Sequence, residues 1–205
     1  MSYMKSLIKI KLVPPQELAA QLFQLQTSFA DACNMISEVA ANNKCWNRVT
    51  LHHLVYHDMR DKFSELGSQM VCNAIYAVSR AYRIVHAQQL LKNSKLGPTS
   101  AQMKIAFLPS SPVFFDKKTM SLTKNKLSLF TMQGRIYFDV QISKEDQETF
   151  LSGKIKEVTL QNQGEAFFLN FHFSDTEKNT NALTLDRVNQ AMPQSIKSQQ
   201  KSSLE

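Results

Sequence analysis

Glycine is scarce in this chain, with five in 205 residues. None is arranged as GxGxxG or as a P-loop, which excludes the backbone cradles that hold nucleotide phosphates. The three cysteines, Cys33, Cys45 and Cys72, are odd in number and widely spaced. No CxxC pair occurs, which excludes a zinc ribbon. Cys33 and Cys72 fall on apolar helix faces and are expected as reduced core residues; Cys45 sits in the turn NNKCWN. No GxSxG elbow marks a nucleophilic serine. No run approaches the roughly 20 apolar residues of a spanning helix. The N-terminal MSYMKSLIKIKLVPP alternates lysine with aliphatics and lacks the continuous apolar stretch of a secretory signal. A cytoplasmic location without a membrane partner is therefore expected.

Acids are missing from one stretch in particular. Between Lys92 and Arg135 stand eight basic residues (Lys92, Lys95, Lys104, Lys117, Lys118, Lys124, Lys126, Arg135) and one acid, Asp116. The chain's net charge of +7 is concentrated there. A one-sided field of this kind suits an anionic polymer, and it also suits a solvated surface kept for solubility. Hydrophobic residues make up 43% of the chain and charged residues 20%, values that fit a globular protein with a core.

Residues 5–13, KSLIKIKLV, alternate. Ile8, Ile10 and Leu12 point one way, and Lys5, Lys9 and Lys11 the other, which predicts a strand with one buried face. Pro14 and Pro15 end it and open a helix over 16–41, with Leu18, Leu22, Leu25, Phe29, Cys33, Ile36 and Ala40 on one stripe. Thr50 is a candidate cap for a second helix, to about Phe63. A third helix is predicted over 68–92. Its Gln69, Asn73, Tyr76, Arg80 and Arg83 recur at four- and three-residue steps, opposite the apolar set. An outer helix face is polar in any case. This one, however, holds amides, a tyrosine and two arginines with no acid, the donor and acceptor types that read phosphates and base edges.

After the linker 93–102 come strand-like runs at 103–108, 113–116, 120–123, 126–131 and 135–140, with Phe114, Phe115, Tyr137 and Phe138 expected in the core. A short helix is predicted from near Ser143, with Glu145 and Asp146 in its first turn. A hairpin follows, turning at Gly164, with Phe167, Leu169, Phe171 and Phe173 on one face. The fold class expected is α+β: an OB-like antiparallel β-barrel interrupted by three helices. Its parts are a first strand (1–14), a helical domain (15–98), the rest of the barrel (99–175) and a flexible tail (176–205).

The segment KKTMSLTKNKLSLFTMQGRIYFDV, followed by FLSGKIKEVTLQNQGEAFFLNFHF, resembles the wedge domain of TnpB proteins. These are RNA-guided nucleases of insertion sequences and relatives of type V CRISPR effectors. Typical members read "ISL…N.LSL.T..GR" and later "GKI…ATL…G.FYL.V". The opening strand KSLIKIKLVP, the helix carrying Asn34, and LGSQMVCNAIYAVSRAYR, which is similar to the family's "L.SQ…NAI..V..AY", occur in the same order as in the wedge and recognition parts. The resemblance spans about residues 4–175. It implies binding of a guide RNA and of target double-stranded DNA beside its recognition motif, with Gln69, Asn73, Asp116 and Lys117 at the matching positions. Ser68 and Cys72 depart from the polar or basic residues that many relatives carry there. The family's RuvC nuclease follows the wedge domain and opens on "G.D.G"; residues 175–205 carry no such motif. The expectation is a module that does not cut by itself and uses no cofactor and no metal. It would work with a separate RuvC-domain protein or a second copy of itself. The alternatives are a nuclease-deficient repressor and a decayed transposon-encoded fragment.

The nucleic-acid contacts expected are Lys5, Lys9, Lys11, Gln69, Asn73, Tyr76, Arg80, Arg83, Lys104, Asp116, Lys117, Lys118, Lys124, Lys126 and Arg135. His53, His57 and Asp61 stand four residues apart, a spacing seen in zinc sites but also on plain solvated helices. Trp46, beside Arg48, could stack on a base or pack against the helices.

Overall fold

The computed structural model describes residues 6–92, 104–164 and 166–174. Lys5, Lys95, the side chain of Lys92, the linker 93–102 and the tail 176–205 lie outside them. The order is β1 (Leu7–Leu12), α1 (Gln16–Asn42), α2 (Arg48–Lys62), a 3-10 turn (Ser64–Leu66), α3 (Gly67–Lys92), β2 (Val113–Phe115), β3 (Met120–Thr123), β4 (Lys126–Thr131), β5 (Gly134–Asp139), α4 (Lys144–Ser152), β6 (Ile155–Gln163) and β7 (Ala166–Phe173). No helix among the described residues is long and apolar enough to cross a membrane.

The class is mixed α+β, with every strand pair antiparallel. The strands form a four-stranded sheet, β1-β7-β6-β2, and a three-stranded one, β3-β4-β5. A closed barrel was expected; among the described residues none closes. β1 is an edge strand. The chain beside it, from Asp139 to Ile142, leaves a groove of about 290 Å³ that Lys9, Lys11 and Asp146 also line.

Alternation decides which face is buried. Across the larger sheet, Ile8, Phe171, Val158 and Phe115 form one register row, and Ile10, Leu169, Leu160 and Val113 the next. All eight are buried. Phe150 of α4 meets Phe171 edge-on at 4.9 Å, and Phe23 of α1 meets Phe167 in the same way. Loss of one such ring, as in Phe171→Ala, is worth about 3–5 kcal/mol. In the smaller sheet, Met120, Leu129 and Ile136 form a buried row.

Several local expectations change. Asn47, not Thr50, caps α2: its side chain accepts from the amides of Val49 and Thr50. Ser143 caps α4 through the amide of Asp146, as its position before two acids suggests. The described part of the 103–108 run is not a strand. Side chains satisfy its backbone in place of a ladder. Asn34 donates to the Phe107 carbonyl and accepts from its amide, both at 2.8 Å, and Ser37 donates to the Ile105 carbonyl at 2.6 Å.

Candidate nucleic-acid interface

Four members of the polar stripe of α3, Gln69, Asn73, Tyr76 and Arg80, are turned toward the sheet and the turn after it, and only Arg83 of the five faces outward. β2 is an edge strand, and its free backbone groups need partners. Asn73 supplies one, donating to the Phe114 carbonyl at 3.1 Å. Its side chain is only 5% exposed and also reaches Thr119. Gln69 donates to Asp116 Oδ2 at 2.6 Å. Tyr76 donates to Glu157 Oε2 at 3.2 Å and meets Phe114 edge-on. Arg80 pairs with the same Glu157 oxygen at 2.6 Å and lies over the Phe114 ring. Periodicity separated these residues from the apolar stripe correctly. It could not show that strands β2 and β6, and not solvent, lay against them.

Glu157 was the residue that sequence reasoning missed. It is 9% exposed on β6, a strand read from sequence only as the first arm of the hairpin that turns at Gly164. The only signal was an acid in a buried strand, which requires a cation nearby. Its carboxylate, together with burial, raises the pKa of Tyr76 above the ordinary tyrosine value; burial is the larger cause. Burial likewise raises the Cys72 thiol.

Asp116 organises the turn after β2. Its Oδ1 accepts from the amides of Lys118 and Thr119 and from the Thr119 hydroxyl, at 2.9–3.0 Å. These bonds hold Lys117 and Lys118 outward, and both are exposed. At the tip of the β3–β4 hairpin, Lys124 takes a left-handed conformation (φ 54°). Lys124 and Lys126 are exposed. None of these four lysines forms an ion pair among the described residues. Arg135 is exposed but committed, donating to Ser128 Oγ and to the Lys118 carbonyl.

The remaining candidates are dispersed. Lys9 donates to Gln163 and lies 3.9 Å from the Phe168 ring centre, on the outer face of β1 and β7. Lys11 is exposed on that face. Lys104 pairs with Glu38 at 2.9 Å. Arg83 is exposed, bonded to the Ser79 carbonyl of its own helix. Trp46 packs on the helices: it is parallel to Tyr82 and edge-on to His86. His52 stacks on Tyr56, and no cluster of three His, Cys, Asp or Glu side chains among the described residues could hold a metal.

What the arrangement offers is therefore narrower than the sequence list. Four of the candidate lysines, exposed and without an ion pair among the described residues, flank β3: Lys117 and Lys118 on the turn that Asp116 organises, and Lys124 and Lys126 at the β3–β4 hairpin. No family model matches the chain, and no curated protein matches it.

Proposed function

We propose that this chain is a nucleic-acid-binding module of a TnpB-like RNA-guided DNA-targeting system. In this reading β1 and β2–β7 form the wedge domain, an OB-like barrel by descent, and α1–α3 are the recognition helices set into it. The module binds guide RNA and target-adjacent DNA, does not itself cut, and works with a separate RuvC-bearing chain. The observation that carries the reading is the cationic surface at Lys117, Lys118, Lys124 and Lys126. These lysines are exposed and unpaired among the described residues, in a segment, 117–138, that contains no acid. Neutralising a phosphate backbone uses such groups and supplies most of the affinity for nucleic acid. The motif order quoted above adds the RNA-guided class to that general binding.

Sequencing the RNA that copurifies with the protein tests the reading. A single structured species whose end matches a chromosomal target supports it. Protein free of RNA that ignores every oligonucleotide at low salt ends it. Mixing the protein and its RNA with a RuvC-only chain tests the split arrangement, which requires that target cutting appear.

A further inference from the structure

We propose that Tyr137 is a stacking platform for an unpaired base of a single-stranded nucleic-acid segment, on the outer face of the β3–β4–β5 sheet. This site rests on the nucleic-acid reading above and adds to it the location and strandedness of one contact. Alternation on β5 turns Ile136 and Phe138 toward the core and Tyr137 away from it. The residue is 66% exposed, the sequence expectation of a core residue notwithstanding.

Two features separate it from a tyrosine that merely decorates a sheet. First, its register row is Tyr137–Ser128–Ser121. A packing tyrosine gains its stability from a large or β-branched cross-strand partner, and two serines leave the ring standing clear. Second, Tyr137 makes no hydrogen bond and no ring contact among the described residues. Tyr76 and Tyr82 both use their hydroxyls, and Tyr56 is stacked on His52.

The surroundings choose the occupant. Arg135 lies two residues away on the same face, with its guanidinium fixed over Ser128, the direct partner of Tyr137. On the other side the next row is Thr123–Lys126–Asp139, followed by the hairpin tip at Lys124. Asp139 is the single acid on these three strands. An exposed aromatic ring between a fixed guanidinium and two lysines suits a planar ring joined to a phosphate. Bases inside a duplex are stacked on one another, so the ring reaches one only where the strand is unpaired.

The test uses the full chain and fluorescently labelled oligouridylate, with a blunt RNA duplex of the same length alongside. Tyr137→Ala should weaken single-strand binding by roughly 5- to 150-fold. Duplex binding and the salt dependence should be unchanged. Tyr137→Phe and Tyr137→Trp should retain the affinity, and 2-aminopurine in the strand should be quenched by wild type but not by Tyr137→Ala. Equal single-strand affinity for wild type and Tyr137→Ala overturns the platform and leaves the nucleic-acid reading standing. Equal losses for single strand and duplex also overturn it. A wild-type protein that binds neither oligonucleotide, or binds only an acidic peptide or anionic vesicles, overturns both readings.

Discussion

Arg80 Nε lies 2.6 Å from Glu157 Oε2, tying α3 to the middle of the four-stranded sheet across 77 residues of sequence. The two partners are unequally placed: the carboxylate is buried, and the guanidinium is about two-fifths exposed. Removing either one therefore has different consequences. Arg80→Ala leaves a buried carboxylate with Tyr76 as its one side-chain donor among the described residues, a loss of about 3 kcal/mol. Glu157→Gln keeps an acceptor for Tyr76 and leaves the arginine free to hydrate, so it costs less, about 1 kcal/mol. Urea unfolding of the two variants should give this order; equal losses would mean that the pair acts as an ordinary surface ion pair.

Tyr76 should report the same junction through its own titration. Burial first, and the Glu157 carboxylate second, raise its pKa above the ordinary 10.0. The folded value exceeds the unfolded one, so this group's contribution to stability is complete below about pH 10 and is lost as pH rises through the folded pKa. Absorbance titration of the five tyrosines should show a late component. That component should vanish in Tyr76→Phe and move to lower pH in Glu157→Gln. A curve unaltered by Tyr76→Phe would contradict the placement.

Asp116 and Gln69 separate architecture from contact. Asp116→Ala removes three acceptor bonds from the 117–119 turn and the partner of Gln69, and should cost about 2–3 kcal/mol. Asp116→Asn retains one acceptor oxygen for the turn and should cost about 1 kcal/mol. Gln69→Ala should leave oligonucleotide affinity unchanged, because its amide is used inside the protein. A selective loss of DNA affinity in Gln69→Ala, with stability intact, would put this amide at the interface after all.

The elements were legible wherever a period was long and clean. The stripe from Leu18 to Ala40 placed α1 to within a residue at its C-terminus, and the alternation of Phe167, Leu169, Phe171 and Phe173 gave both β7 and its buried face. Failures occurred where a distant partner decided the outcome. Residues 104–108 look like a strand, but Asn34 and Ser37 reached their backbone before another strand did. Tyr137 looks like core until the register sets it opposite Ser128. The candidate site divided in the same way. The charge imbalance around 117–126 is a property of sequence and survived folding. Gln69, Asn73, Tyr76 and Arg80 share a helix face by periodicity, yet their partners on β2, the turn after it and β6 lie about 40–80 residues further along the chain.

The charge of the hairpin surface has a quantitative signature. If Lys117, Lys118, Lys124 and Lys126 each neutralise one phosphate, changing all four to Gln should flatten the log–log dependence of single-strand affinity on salt by about 3. Affinity should fall most at low salt, where counterion release contributes most. Lys104→Gln is the matched control: its ammonium is already paired with Glu38, so the slope should hardly move. Anisotropy titrations across a sodium chloride series read both quantities. The four side chains are exposed and free of ion pairs among the described residues, so their loss should not disturb the fold, and circular dichroism can verify this independently. A slope identical in the quadruple variant and in wild type would mean that phosphates contact some other surface. Lys9, Lys11, Arg83 and Arg135, the remaining exposed cations of the candidate set, would then be the groups to change next.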